Sequence, residues 1–291
     1  MTEDPFVTHR SLLFTVAYEM LGSAADAEDV PQETWLRWVK IDLVRVSDQR
    51  AYLVRITTRQ ALNRLRTLRR RKETYVGSWL PEPLLTAPDV ADDVELAENM
   101  SMALMLVLET LAPTERAVFV LHEVFDVSYD EIAAALDKTP SAVRQVAYRA
   151  RQHVDARRPR QVVPASLTRA ALDSLRHAIE TGDLQGLLHV LAPDVVLVAD
   201  GGGIKQAALR PVIGADKVAR MFVTGIGKVD SILTADPTVV NGNPSLVLRL
   251  DGQLDGVLGV RVEDARITGL YYVRNPEKLT RVESVTLLTL R

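Results

Sequence analysis

The stretch Ser128–Val154, SYDEIAAALDKTPSAVRQVAYRARQHV, admits few folds. Tyr129, Ile132, Ala133 and Leu136 recur at helical spacing, as do Val143, Val146, Ala147, Ala150 and Val154. A Lys-Thr-Pro turn separates the two sets. Thr139 can cap the second helix, and Pro140 suits its first position, where the missing N–H is not needed. Opposite the second apolar stripe stand Ser141, Arg144, Gln145, Tyr148, Arg149, Arg151 and Gln152. These side chains reach phosphates and base edges, as the recognition helix of a helix-turn-helix does in the major groove. The plainer alternative is a helical hairpin with a solvated basic face.

At 291 residues with 47% apolar content, the chain suits two or three small domains with real cores. No basic start leads into an apolar run of signal length, and no long apolar span occurs, so a cytoplasmic protein without a membrane association is expected. Zero cysteines exclude disulfides and thiolate metal sites, and five histidines show no zinc-ligand spacing, so neither a metal nor a cofactor is expected. The net charge of −3 alone argues against nucleic acid. Charge is segregated, however: acids gather at 26–33 and 89–98, and Arg and Lys at 50–72 and 144–160.

Residues 6–21 read as a helix ending at Gly22. After Ser23 as a cap, residues 24–38 place Asp26, Asp29 and Glu33 on one face with Gln32 beside them, while Ala27, Val30, Thr34 and Trp38 turn inward. Acids early in a helix suit its dipole, but a face reaching Glu33 exceeds that need and suggests docking to a basic partner. Pro31 should kink or restart this helix. A third helix, about 47–72, buries Val54, Ala61, Leu65 and Leu68 and carries Arg55, Arg59, Asn63, Arg66 and Arg70 opposite, with Tyr52 and Ile56 alongside. No acid interrupts it from Gln49 to Lys72. A cationic rail with aromatic and apolar inserts can track a phosphate backbone and hold bases of an opened strand.

Residues 73–94 hold three prolines and a glycine and form a linker. Tyr75, Trp79, Leu80, Leu84 and Leu85 are too apolar for a solvated tether, so something should cover them. Helices follow at about 95–110 and from Pro113, and with the opening pair these make a four-helix unit. After a basic, proline-containing exit at 157–164 the pattern changes. A helix at 166–181 and another at 215–226 accompany β-rich runs at 195–199, 231–240, 246–250, 256–262 and 267–273, the signature of an α+β domain with a curved antiparallel sheet and a possible pocket. The fold class is therefore multidomain: two all-α domains, the second a helix-turn-helix, followed by an α+β domain.

The order docking helix, arginine rail, linker, helix-turn-helix resembles bacterial sigma factors of the extracytoplasmic-function type, over the first 160 residues. Residues 23–38, SAADAEDVPQETWLRW, look like that family's region 2.2, which docks on the polymerase β′ clamp. The resemblance implies that Asp29, Gln32 and Glu33 contact core RNA polymerase, with a further contact to the β flap. It implies regions 2.3 and 2.4 at 47–72 and region 4, reader of the −35 element, at 113–154. Promoter DNA would then meet Arg55, Arg59, Asn63, Arg66, Arg70, Ser141, Arg144, Gln145, Tyr148 and Arg149. The linker words YVGSWLPEPL and the long extension resemble the subgroup with a SnoaL-like C-terminal domain, in which the extension regulates activity from within the chain. That subgroup carries Asp-Gly-Gly-Gly-Lys and Asn-Pro-Asp-Lys-Leu motifs. Here stand Asp200-Gly201-Gly202-Gly203, with Lys205 displaced by one residue, and Asn275-Pro276-Glu277-Lys278-Leu279. The expected domains are 1–74 and 95–160 (sigma regions 2 and 4), the linker 75–94 and the SnoaL-like domain 166–291.

Three glycines permit positive φ and close approach, so the loop after Ala199 is expected to press on the linker. The extension would clasp the linker through Trp79, Leu80, Pro81, Asp200, Gly201, Gly202, Gly203, Asn275, Pro276 and Lys278, and so set the spacing of the DNA-reading units. An ordinary hairpin turn is the alternative for the glycine run. One competing function is a one-component transcriptional regulator with a ligand-binding C-terminal domain, although it leaves the acidic helix and arginine rail unexplained. Another is an enzyme in the extension, for which Asp194, Asp200, His177, His189, Tyr271 and Tyr272 could line a cavity. No pair of these has diagnostic spacing, and the expectation is that the protein is not an enzyme.

Overall fold

A computed structural model describes residues 4–42, 46–87, 101–157, 163–227, 232–286 and 288–289. The acidic run 89–98, the start of the helix expected at 95–110 and part of the exit at 157–164 lie outside them. The chain divides into two compact units. One comprises Met1–Thr74, Leu104–Arg158 and Leu287–Arg291, and the other Tyr75–Ala103 and Pro159–Thr286.

In the first unit, α1 (Pro5–Leu21) is capped by the Asp4 carboxylate, which accepts from the Phe6 N–H at 2.9 Å. Gly22 closes it in the left-handed region. Leu13, Val16, Ala17, Tyr18, Met20 and Leu21 are fully buried, because α2 (Ala24–Trp38) and α3 (Gln49–Glu73) both pack on α1. Ser23 caps α2 through the Asp26 N–H at 3.3 Å. Ala27, Val30, Thr34 and Trp38 are buried as their spacing predicts. The helix runs on through Pro31 and does not restart there. An interior proline costs about 3 kcal/mol, and here its ring is buried, so apolar packing offsets the lost backbone bond. The hydroxyls of Thr34 and Thr57 bond at 3.2 Å between α2 and α3.

Helices α4 (Met102–Glu109) and α5 (Pro113–Phe119), the latter continued by a π-turn over Val120–Val124, lead to α6 (Tyr129–Leu136) and α7 (Pro140–Asp155). Ser128 and Glu131 form a reciprocal capping box on α6. Asp137 ends α6 at φ 56°, and Thr139 caps α7 through the Ala142 N–H at 3.3 Å. Arg116 of α5 is buried and ties several helices together. Its guanidinium donates to the Glu19 carbonyl of α1 at 3.0 and 3.3 Å and pairs with Glu109, which also accepts from Lys72 of α3 at 2.5 Å. The Glu19 carboxyl is fully buried and neither of its oxygens has a hydrogen-bond partner. Burial pushes its pKa up to about 8, against a smaller opposing pull from Arg116. Thr289, near the C-terminus, donates its N–H to the Thr15 hydroxyl of α1 at 3.1 Å.

The second unit is a six-stranded sheet in the order β2-β1-β6-β5-β4-β3, built from β1 (Leu191–Asp200), β2 (Val212–Ile213), β3 (Leu233–Val240), β4 (Asn243–Leu250), β5 (Gln253–Glu263) and β6 (Arg266–Val273). The sheet is mixed rather than purely antiparallel: β1 and β6 run parallel, every other pair antiparallel. Register shifts in β1, between β4 and β5 and between β5 and β6 bend it. Pro237 is tolerated because β3 lies at an edge. Helices α8 (Ala165–Thr181), α9 (Leu184–Val190) and α10 (Ala215–Gly227) supply Leu172, Leu175, Ile179, Leu187, Val218 and Phe222 to a core shared with Leu197, Leu246, Leu258 and Leu270. This is an α+β domain, helices packed on a single bent sheet.

Candidate docking, promoter and linker-clasp sites

On α2, positions 29, 32, 33 and 36 share one face. Asp29, Gln32, Glu33 and Leu36 are all exposed there, and Val39 follows just beyond the helix. The acids are not left to solvent alone. Arg64 of α3 donates Nε to Asp26 at 2.7 Å and Nη1 to Glu33 at 3.1 Å, and pairs through Nη2 with Asp29. Asp26 is the better shielded of the three, while Asp29 and Glu33 remain about half exposed. Arg64 is a site residue that sequence reasoning missed. It is one arginine among many on α3, and only packing against α2 singles it out.

The arginine rail divides by role. Arg55 lies over the Tyr52 ring at 4.7 Å, while Arg66 donates to Asn63 at 3.3 Å and, like Arg70, is exposed. Arg59 instead turns to α6, donating Nε to the Ala135 carbonyl at 2.7 Å and Nη2 to the Ala134 carbonyl at 2.9 Å. Those carbonyls are end groups of a helix with no partner within it, which a cation suits. On α7, Ser141, Arg144, Gln145, Tyr148 and Arg149 are exposed, and the last four line one shallow depression. Arg144 also lies 5.6 Å over the Tyr129 ring, and Gln152 donates to the Tyr148 hydroxyl at 2.8 Å. Arg151 is drawn inward to Glu123 (2.8 Å) and the Tyr129 hydroxyl (2.6 Å).

In the second unit, the linker segment is held at the ends of β1 and β6. Asp200, fully buried, accepts at Oδ1 from the Tyr75 hydroxyl (2.6 Å) and the Gly202 N–H (3.0 Å). Its Oδ2 accepts from the Leu80 N–H (2.8 Å) and the Lys278 ammonium (2.7 Å). Lys278 donates also to the Leu80 carbonyl at 2.6 Å and sits 4.2 Å from the Trp79 ring centre and 4.8 Å from that of Tyr75, a cation held by two aromatic faces. Asn275 donates to the Tyr75 hydroxyl at 2.8 Å and caps the turn Pro276–Lys278 through the Glu277 N–H, so the Asn-Pro pair aims Lys278. Burial, then the bond to Asp200, raises the Tyr75 pKa well above the usual phenol value. Leu80 and Pro81 are buried.

The glycines fit this closeness. A Cβ on Gly201 would strike the Lys205 carbonyl, one on Gly202 (φ +63°) would strike the Asn275 side chain, and one on Gly203 would lie 3.2 Å from the Val76 Cβ. Further along, the linker joins the sheet edge: Leu84 exchanges bonds with Asn241 at 2.8 and 2.9 Å, and Thr86 donates its N–H to the Val239 carbonyl at 3.0 Å. Asn241 was not among the expected clasp residues, and Tyr75, expected to be covered as an apolar residue, is held by its hydroxyl. Lys205, displaced in its motif, points elsewhere, to Asp255 at 3.1 Å. Of the residues considered for a catalytic cavity, Tyr272 lines one, whereas Asp200 serves the linker. Among the described residues no cluster of His, Asp or Glu could hold a metal ion, and no helix is long and apolar enough to cross a membrane.

Residues 6–71 match the family model for sigma-70 region 2, and residues 101–154 that for sigma-70, region 4. These two matched regions, with the acidic face of α2, the arginine rail of α3 and the helix-turn-helix, define an RNA polymerase sigma factor. The chain is 37% identical to the extracytoplasmic-function (ECF) sigma factor SigJ of Mycobacterium tuberculosis, over 96% of this chain and 94% of that one. It is 31% identical to the probable ECF sigma factor SigI of the same species, over 93% and 92%. The crystal structure of SigJ superposes with a TM-score of 0.75 at 33% identity, covering 95% of this chain and 97% of that one. The chain belongs to the ECF RNA polymerase sigma factors.

Proposed function

We propose that α2 docks on the polymerase β′ clamp through Asp29, Gln32 and Glu33, with Leu36 and Val39 extending the contact as an apolar end. In this reading Arg55, Asn63, Arg66 and Arg70 follow the −10 strand, joined by Arg59 once it leaves α6. Arg144, Gln145, Tyr148 and Arg149 of α7 read the −35 element from the major groove, Ser141 supports them from the first turn, and the region 4 unit meets the β flap. The protein acts in the cytoplasm, where polymerase works, and performs no covalent chemistry of its own. The expected boundaries stand in this reading: 1–74 for docking and −10 recognition, 95–160 for −35 recognition, and 166–291 for regulation.

The C-terminal domain regulates the sigma activity by holding the linker. One observation carries this part: the fully buried Asp200 carboxylate spends two of its four bonds on linker groups, the Tyr75 hydroxyl and the Leu80 N–H. Release of the linker would strip this buried carboxylate of two of its four donors, so the hold is strong enough to fix the linker in place. Run-off transcription with core polymerase tests it, comparing the full chain with Asp200→Asn and Lys278→Met. Altered promoter output from both variants, with α-helical content retained, is the expected result. Unchanged output would remove the regulatory role and leave sigma activity intact.

A further inference from the structure

Behind the linker clasp, within the second unit, lies a cavity of about 490 Å³ between the sheet face and helices α8 and α10. That volume is the size of a small-molecule site. Ile179, Met221, Phe222 and Leu248 form its apolar body, and Asp255 and Arg274 stand at its polar end.

The polar end has a definite charge and a definite bonding capacity. Asp255 accepts at Oδ1 from Lys205 (3.1 Å) and Arg274 Nη2 (2.8 Å), and at Oδ2 from Arg274 Nε (3.0 Å) and the Tyr272 hydroxyl. Four donors fill a carboxylate, so Asp255 has no room for a ligand donor. Lys205 spends its other donors on the Leu254 and Asp255 carbonyls at 3.2 and 3.1 Å. Arg274 gives one further N–H to the Gln206 carbonyl at 2.5 Å. A guanidinium has five N–H groups, and the three bonds shown leave it two. Two cations against one carboxylate give the cluster a net positive charge, and among the described residues no other acid lines the cavity. Burial first, then the neighbouring Asp255 charge, raises the Tyr272 pKa, whereas for Asp255 and Arg274 burial opposes the charged form and their mutual bonding overcomes it, lowering the one and raising the other.

We propose that this cavity is a binding site for a small apolar molecule with a single carboxylate head, the head taken by the remaining N–H groups of Arg274 and the tail by the face of Ile179, Met221, Phe222 and Leu248. A neutral alcohol would leave the positive charge uncompensated, and an amine would meet two cations. The inference is independent of whether the clasp regulates transcription.

Titration calorimetry of the full chain with decanoate, decan-1-ol and decylamine tests it. Decanoate should bind with a stoichiometry of one, and the alcohol should bind about tenfold or more weakly than the acid, the loss of a charge-assisted bond. Decylamine should not bind. Ala208→Phe, which fills the cavity from its wall, should abolish decanoate binding while the circular dichroism spectrum is unchanged. Equal binding of acid and alcohol overturns the head-group assignment. Binding that survives Ala208→Phe, or no binding of decanoate to the unmodified chain, overturns the site.

Discussion

The Lys278 ammonium stands 2.7 Å from the Asp200 carboxylate, with the carboxylate wholly buried and the lysine nearly so. Removing one member of a buried pair strands the other charge, at about 3–5 kcal/mol, whereas replacing both by apolar groups is far milder. Lys278→Ala and Asp200→Ala should therefore each destabilise the second unit by about that amount, and the double variant by much less than their sum. Limited proteolysis within 75–87 and urea unfolding followed by Trp79 fluorescence provide the measurement. Additive losses would mean that the two charges do not act as a pair.

Two glycines separate backbone strain from collision. Gly202 and Gly252 both have positive φ, +63° and +76°, but a Cβ on Gly252 meets nothing within 4 Å while one on Gly202 meets Asn275. Gly252→Ala should cost about 1 kcal/mol from the backbone alone. Gly202→Ala should cost more and should also free the Tyr75 ring, visible as a faster proton exchange at the Leu80 amide.

The Glu19 carboxyl, raised to about 8 by burial, holds its proton in the folded state at neutral pH, whereas the unfolded chain releases it near 4.5. The folded state thus binds more protons between these values, so this group's contribution to stability is complete below pH 4.5 and is lost as pH rises towards 8. Glu19→Gln keeps a neutral side chain of similar size. Urea midpoints of the first unit should fall from pH 6 to pH 8 in the unmodified protein and fall less in the variant.

Arg59 has one guanidinium and two candidate uses. While it caps the Ala134 and Ala135 carbonyls it is withheld from DNA. Arg59→Gln should raise hydrogen exchange near the end of α6 and lower polymerase-dependent promoter opening. Arg66→Gln, whose only shown bond is to Asn63 on its own helix, should lower opening without the exchange change.

Much of the first unit is legible in sequence because its signals are local. Thr139 and Pro140 mark the start of α7, and the stripe of Val143, Ala147, Ala150 and Val154 marks its buried face. Position alone also orders Asp29, Gln32 and Glu33 on α2. What escaped was set by partners distant in sequence. No local pattern shows that Arg64 rather than its neighbours would turn to Asp26, that Arg116 would reach the Glu19 carbonyl, or that Leu84 would pair with Asn241 at the sheet edge. Periodicity also missed the early start of β1 and the parallel pairing of β1 with β6, since a parallel pair leaves no hairpin turn between its strands.

Ala199 and Asp200 are neighbours at the end of β1, and alternation turns them to opposite sides: Ala199 lines the cavity, and Asp200 grips the linker. Arg274 and Asn275, just beyond β6, are divided in the same way, and both of their N–H groups donate to the Asp200 carbonyl, at 2.7 and 2.9 Å. The linker and the cavity are thus served from the two sides of one short piece of backbone, and the Asp200 carbonyl holds the residues facing each to the same anchor.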